Sequence, residues 1–405
     1  MRTYLLLMFL AAAVTMLLTP AARRFALTFR VLTPLRERDV HTVPTPRMGG
    51  LAMTAGFATA IILGSQIPFL HEVFSNRPVW AVLCGALAIC LLGTIDDILE
   101  LDWMTKLAGQ VLIAALMAMN GVQLISFPLF GLTIGSSRLS ILVSILVIVT
   151  IINAVNFVDG LDGLAAGVLA IGGASFFTYS YLLTVVMDSA SYATSAAVIM
   201  AGMVGACIGF LWFNFHPASI FMGDSGAMVL GLLIASAGII VTGQVRPNLL
   251  EGDPIITSVL PLLLPLVVIV IPLVDLVITA VGRILHGKSP TTADRTHLHD
   301  RLLDAGHSHR SVVLVLWAWT LLLCAVGVAL LVVPLHIVAI SGTIVALLLV
   351  LVTAQLFPGM KRPKGIGVPG GRTAVDDGIK VISRGQYVHP FRPTGKDHRE
   401  DSQDT

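Results

Sequence analysis

Apolar runs long enough to cross a bilayer recur along this 405-residue chain, and no other feature so narrows what it can fold into. A helix needs about 20 apolar residues to span hydrocarbon, where every backbone N–H and C=O must be satisfied internally. Runs at 4–22, 48–70, 79–93, 106–125, 139–152, 164–184, 193–212, 226–244, 255–282, 311–333 and 335–356 answer that need. They predict an all-α, polytopic membrane protein with about eleven transmembrane helices. The third and fifth runs are short and admit a tilted or partly re-entrant path. Pro261, Pro265 and Pro272 predict a kink in the ninth, because proline removes a helix hydrogen bond. Hydrophobic residues make up 56% and charged residues only 12%, which excludes an ordinary soluble chain. Cys84, Cys90, Cys207 and Cys324 fall inside apolar runs and read as small buried hydrophobes. Arg23 and Arg24 follow the first run at once, the wrong side for a cleaved signal peptide.

Lysine and arginine orient the spans. With eleven crossings, loop 23–47, segments 94–105, 153–163, 213–225 and 283–310, and the tail share one side. That side holds 21 of the 25 Lys+Arg, counting Lys106; the other holds Arg2, Arg77, Arg138 and Arg246. The rich side is therefore expected to be cytoplasmic, with the N-terminus outside and the C-terminus inside. The polar clusters with chemical potential fall on the same side, so a loop-built cytoplasmic active site is expected. Residues 1–356 form the membrane domain in this reading. Residues 357–405, rich in Gly, Pro and charge, form a cytoplasmic, largely disordered tail. The net charge of +2 gives no nucleic-acid signature, and no nucleic-acid partner is expected.

The stretch I-I-N-A-V-N-F-V-D-G-L-D-G-L at 151–164 places Asn153, Asn156, Asp159 and Asp162 at three-residue intervals between two apolar runs. A carboxylate in hydrocarbon is costly, so Asp159 and Asp162 belong at a membrane surface or in a wet cavity. Oxygen ligands at short spacing suit Mg²⁺, which binds one or two carboxylates together with substrate phosphates. Asp96 and Asp97 repel each other unless a cation or proton intervenes, which makes them candidates for a metal-linked site or a general base. Lys106, nine residues on from Asp97, can neutralise phosphate. In N-F-H-P-A-S-I-F-M-G-D-S-G at 214–226, Asp224 stands near a helix N-terminus, where anions bind. It either caps that helix or serves as a metal ligand beside a phosphate site. Asn214 and Phe221 offer a polar edge and a stacking face for a nucleobase. His41, Arg47 and Gly49-Gly50 offer a rim for phosphate, though a positive-inside anchor explains the arginines equally well. His297, His299, Arg301, His307 and His309 cluster within 297–309. An H-x-H pair suggests zinc, but the oxygen-rich partners favour Mg²⁺ and diphosphate contacts. Asp275, deep in the ninth run, needs an interior partner.

In this order, these motifs resemble the polyprenyl-phosphate N-acetylhexosamine-1-phosphate transferases of the glycosyltransferase 4 / MraY-like superfamily. N-A-V-N-F-V-D-G-L-D-G-L and F-M-G-D-S-G carry most of the likeness, which covers about residues 1–356. His297, His299 and Arg301 in H-x-H-x-R form resemble the WecA/TagO branch. The resemblance implies attack of a lipid phosphate (undecaprenyl or decaprenyl) on the β-phosphorus of UDP-GlcNAc, with UMP leaving. It implies Mg²⁺, or Mn²⁺ in its place, held by Asp224 with Asn156 and Asp159. It implies Asp96, Asp97, Asp159, Asp224 and His297 as catalytic. Arg47, Lys106, Asp162, Asn214, Phe221, His299 and Arg301 would bind substrate, with Asp162, Asn214 and Phe221 around the uridine. A plasma (inner) membrane location and a homodimer come with it. The chain departs from the family at R-E-R-D-V-H (36–41), where D-x-R-K-x-H is frequent, and at Trp103, where many members carry proline. A transporter would place its ionisable groups at mid-bilayer on related halves; here only Asp275 lies deep. An aromatic prenyltransferase would show two similar Asp-rich motifs, and this chain has three dissimilar ones.

Overall fold

The structure, a computed structural model, describes residues 1–33, 44–124, 136–187, 190–242 and 307–355. These form α1 (Arg2–Thr28), α2 (Gly49–Gly64), a short turn of 3-10 helix at Pro68–Leu70, α3 (His71–Ser75), α4 (Arg77–Leu99), α5 (Trp103–Met119), α6 (Ser137–Val158), α7 (Leu164–Met187), α8 (Ala190–Asn214), α9 (Gly223–Thr242), α10 (His309–Ala329) and α11 (Leu335–Gln355). Among the described residues there is no strand, only two isolated bridges. Eight helices are long and apolar enough to cross a membrane. The pair Gly49–Gly64 and Pro68–Ser75, bent by 95°, and the shorter Trp103–Met119 fill the remaining described runs. The ninth run, with Asp275, and the tail lie outside the described residues, as do His41, His297, His299 and Arg301.

Two expectations shift. The short third and fifth runs are helices of 23 and 22 residues, so Asp96, Asp97, Asn153 and Asn156 sit in helical turns rather than loops. The second run is not one straight span but breaks after Gly64. The first shift has a plain cause. Where a helix end turns polar side chains toward a polar partner, hydropathy falls although the helix continues.

At the centre stands α9, whose membrane-length window is buried throughout. It packs against α2, α4, α6 and α8. Its sequence, G-D-S-G-A-M-V-L-G-L-L-I-A-S-A-G, is dominated by small residues. Lipid tails supply no hydrophobic drive between helices, so close backbone approach has to hold them together. The approach is tightest at the N-terminus of α9. A Cβ on Gly50 would lie 2.1 Å from the Gly226 nitrogen, and one on Gly93 would lie 2.5 Å from Ser225 Cα. Glycines on α2 and α4 thus bring those helices onto the first turn of α9, where the polar residues collect. The outermost helix, α11, is the opposite case, with 6% of its window buried and its leucines and valines exposed as on a lipid-facing surface.

Candidate active site

The C-terminal ends of α4, α6 and α8 meet the N-terminal ends of α2, α5, α9 and α10 on one face of the bundle, because the helices alternate in direction. Nearly every described residue singled out above lies there.

Asp96 and Asp97 are neighbours on the last turns of α4, both buried, at 8% and 5% exposure. Their side chains diverge. Asp97 accepts the backbone N–H groups of Asp224 (3.0 Å) and Ser225 (3.2 Å). It therefore caps α9 from another helix, satisfying donors that a helix start leaves open. Asp96 accepts from the Leu101 N–H (2.9 Å) and pairs with the Lys106 ammonium at 2.8 Å. The same ammonium is paired to Asp224. With its amide oriented to suit these neighbours, Asn156 donates to Asp224 Oδ1 (3.1 Å) and accepts from Lys106 (3.2 Å). Asp224 therefore does not cap its own helix. Asp97 takes that task, and the Asp224 carboxylate turns to Lys106 and Asn156.

Lys106 is held by local chemistry. Asp102 N-caps α5, accepting from the Met104 and Thr105 N–H groups (3.0 and 3.1 Å) and from the Thr105 hydroxyl (2.5 Å). Those bonds hold the Asp102 carboxyl below its ordinary range, the Thr105 hydroxyl most strongly. One turn along, Lys106 faces the carboxylates. Half-buried Asp159 follows α6 directly. Burial, and then the negative charges of Asp224, Asp97 and Asp162, push its carboxyl up to about 7. Four carboxylates and one ammonium leave this centre short of positive charge. Its donors are all oxygen apart from Lys106, which is the chemistry of a hard divalent cation. Asp224 and Asn156 meet directly around Lys106, and Asp159 is tied to Asp224 through charge.

The second cluster ties two loops together. Asp162, 1% exposed, lies 2.8 Å from His216 Nδ1 and accepts the Ala218 N–H at 3.0 Å. Asn214, also buried, accepts from the Gly163 N–H (3.1 Å) and donates to the Ile220 carbonyl (3.0 Å). Asn214 thus acts through the backbone, bracing the loop of Asp162 against the loop of Phe221. The His216 ring stacks on His309 at 4.2 Å and 16°, and Arg310 Nε donates to the His216 carbonyl at 3.1 Å. Ligand atoms of Asp162, His216 and His309 all lie within 4.8 Å of one another. Near-parallel stacked rings do not aim two nitrogens at a common point, and two members are already hydrogen-bonded. The trio reads as a network that fixes Asp162, not as a cage. His216 stands in N-F-H-P but went unmarked in the sequence. So did Gln110, whose Oε1 accepts from Asn153 at 2.6 Å. Nothing in a lone polar residue within an apolar run announces which helix it faces.

Arg47 belongs to a third group. Its N–H donates to the Val31 carbonyl (3.1 Å), while Phe221 N–H donates to Pro46 and Gly49 N–H to Phe221. The segment therefore spans from the end of α1 to Phe221. The Arg47 guanidinium faces Glu100 at 3.8 Å, away from the Lys106 centre.

Comparison with known proteins adds the following. The model described as Glycosyl transferase family 4 matches residues 79–242, which carry all three acidic motifs and the whole of α9. Over 315 residues, 76% of this chain and 77% of the relative, the chain is 38% identical to the decaprenyl-phosphate N-acetylglucosaminephosphotransferase of Mycolicibacterium smegmatis. It is 27% identical over 312 residues (76% and 80%) to the Bacillus subtilis protein named probable undecaprenyl-phosphate N-acetylglucosaminyl 1-phosphate transferase. It is 29% identical over 335 residues (76% and 91%) to the phospho-N-acetylmuramoyl-pentapeptide-transferase of Desulforudis audaxviator.

Proposed function

The chain belongs to glycosyl transferase family 4, and from that premise we propose that it transfers N-acetylglucosamine-1-phosphate from UDP-GlcNAc to a polyprenyl phosphate. The products are UMP and polyprenyl-diphosphate-GlcNAc, the first membrane step of a cell-envelope polysaccharide. The names of the mycobacterial and Bacillus relatives support decaprenyl or undecaprenyl as the acceptor chain. The observation that carries the reading is the meeting of Asp96, Lys106, Asn156 and Asp224, from four helices, with Asp97 and Asp159 beside them.

An oxygen of the acceptor phosphate forms a bond to the β-phosphorus. The bond from that phosphorus to the bridging oxygen breaks, and UMP departs with the electron pair. Asp96 and Asp97 receive and orient the acceptor phosphate at the end of α4. Lys106 offsets charge on the diphosphate. Asp224, Asn156 and Asp159 would hold Mg²⁺, which would supply positive charge against the diphosphate oxygens. Asp162, set by His216, faces the uridine together with Phe221, and Asn214 braces their loops. His297, His299 and Arg301 take the diphosphate and sugar. Positively charged loops support a cytoplasmic active face in the plasma membrane, N-terminus outside; the family resemblance supports a homodimer.

The test is UMP release by purified protein given polyprenyl phosphate and a panel of UDP-sugars. UDP-GlcNAc should be the preferred donor. Preference for a UDP-muramoyl-peptide would overturn the donor assignment. In the same assay Asp224→Asn should lose at least about a hundredfold in turnover, the scale of removing a key charge from a preorganised site, while its thermal melt stays unchanged. Near-normal turnover at saturating Mg²⁺ would reject the metal-holding role.

A further inference from the structure

The half of α5 nearest the site has little packing to hold it. From Trp103 to Gly109 its residues are exposed, apart from half-buried Lys106 and Gly109. Helix α5 packs along α4 and α6, whereas α9 packs along α2, α4, α6 and α8. Yet the Lys106 ammonium meets Asp224 on α9 as well as Asp96 on α4. A flexible four-carbon stem does not fix its own direction, so the rotation and depth of the helix beneath it have to be set by another contact.

Gln110 is the first fully buried residue of α5, at 0% exposure, one turn beyond Lys106. Residues three and four apart share a helix face, so Gln110 continues the Lys106 face into the bundle. Its Oε1 accepts from Asn153 Nδ2 at 2.6 Å, and its Nε2 donates to Met228 Sδ at 3.2 Å. Asn153 lies one turn before Asn156 on α6, and Met228 one turn beyond Asp224 on α9. Lys106, Asn156 and Asp224 therefore rest on a second tier, Gln110, Asn153 and Met228, drawn from the same three helices. Asn153 is tied to its own helix by a bond to the Val149 carbonyl (2.8 Å). Beside it α6 and α9 meet backbone to backbone, since a Cβ on Gly231 would lie 2.7 Å from Ile152 Cα. The α6–α9 pair is thus the fixed part, and Gln110 is the side chain by which α5 joins it.

Stability does not account for glutamine at this position. A buried amide carries a penalty unless it is hydrogen-bonded, and interhelical hydrogen bonds inside membranes contribute little net stability. Methionine, of similar volume, would fill the space without that penalty. Positioning does account for it, because a displacement of about 1 Å at a reacting group costs roughly a hundredfold in rate. We propose that Gln110 is a positioning residue of the transferase. Its bond to Asn153 sets α5 so that the Lys106 ammonium lies between Asp96 and Asp224 and beside Asn156. Gln110 touches no substrate and acts through Lys106. The inference rests on the transferase reading and adds a residue to its machinery.

Gln110→Met keeps the volume and removes the acceptor. In purified protein its kcat should fall roughly ten- to a hundredfold, the scale of a misplaced group, while UMP affinity by calorimetry and the thermal melt stay at wild-type values. A fall in kcat matched by lost UMP affinity or by lost folded protein would mark a merely structural role and overturn the proposal. The second test moves the bond instead of deleting it. Gln110→Asn shortens the acceptor and should lose turnover. Adding Asn153→Gln lengthens the donor and should recover most of that loss, which a change in packing volume alone would not do. A double variant no better than Gln110→Asn would reject the bond as the device. A wild type that releases no UMP defeats the transferase reading and the positioning role with it, whereas an active wild type equalled by Gln110→Met defeats the positioning role alone.

Discussion

Asp97 and Asp162 are both buried carboxylates whose partners are fixed by the fold, and their partners differ. Asp97 holds the first turn of α9 by two backbone N–H groups, the turn that carries Asp224. Asp162 is held by His216 and Ala218 on the loop opposite Phe221. Asp97→Asn keeps one oxygen for one N–H and sets an amide against the other. It should cost about 1 kcal/mol of stability, as a lost cap does, and lower kcat strongly while UMP affinity holds. Asp162→Ala should instead weaken UMP binding, with His216→Ala weakening it in the same direction. Calorimetric UMP titrations beside kcat at saturating lipid read the difference, and equal losses of UMP affinity in Asp97→Asn and Asp162→Ala would reject the division. Asp159 adds a pH signature. Its folded value near 7 stands above the usual carboxylate value of about 4. The folded chain therefore keeps a proton that the unfolded chain releases, and stability without divalent cation falls as pH rises between those values. Divalent cation favours the ionised form and reverses that slope. Mg²⁺ binding at pH 6 should release close to one proton, shrinking toward zero at pH 8 and absent in Asp159→Asn. Titration in buffers of different ionisation enthalpy measures it. Proton release independent of pH would count against Asp159 as a ligand.

At the scale of elements, the ends of helices make this site, and ends are what an apolar pattern defines least well. Of the ten runs that fall on described residues, nine each fall on a single helix and the second breaks after Gly64, because a bilayer-length stretch of Leu, Val, Ile and Ala has only one way to satisfy its backbone. The extension of α4 to Leu99 and of α6 to Val158 was not legible, since Asp96, Asp97, Asn153 and Asn156 interrupt the hydropathy without interrupting the helix. The motif residues were legible as a set; their partners were not. Sequence spacing could not say that Asp97 would cap α9, that Asn214 would spend both amide atoms on backbone, or that His216 would hold Asp162. Those facts depend on which helix ends meet, and glycines decide that. Gly93 lies one turn before Asp97, and a Cβ there would stand 2.5 and 2.6 Å from backbone atoms of Ser225. Backbone cannot turn aside, so Gly93→Ala should cost about 1–3 kcal/mol, as overpacking does. It should also abolish turnover by moving Asp97 off the α9 N-terminus. Gly109→Ala meets only the methyl ends of Leu92, at 2.7 and 3.0 Å, and a leucine can change rotamer. Thermal melts of the two variants in detergent should separate clearly. Equal melting temperatures would show that the α4–α9 contact is looser than described.

Across the whole molecule, the described polar chemistry sits at one end of the bundle, where Arg23, Arg47, Lys106 and Arg310 also make their contacts. Asp96, Lys106, Asn156, Asp162, Asn214, Asp224 and His309 all lie at helix termini on that face, though they come from runs far apart in sequence. The opposite face carries Asn76, before α4, and Asn120, after α5. Lysine and arginine divide 21 to 4 between the two sides of the eleven-span reading. Moving positive loops across the membrane is disfavoured, and short loops obey this rule best. An error of one crossing would exchange the sides of every later loop and erase the division, so the charge count and the span count support each other. The resulting prediction is an N-terminus outside and the catalytic face inside. Single cysteines placed at Gly160 and Ser219 should resist a membrane-impermeant maleimide on intact cells and react once the membrane is opened. Those at Asn76 and Asn120 should react on intact cells. The background carries Cys84→Ser, because Cys84 is the exposed native thiol while Cys90, Cys207 and Cys324 are buried. Labelling at position 160 from outside would invert the orientation, and with it the side from which a water-soluble nucleotide sugar could reach Asp162. Labelling of positions 120 and 160 from the same side would instead break the alternation of α5 and α6, leaving the described helices in place but the span count wrong.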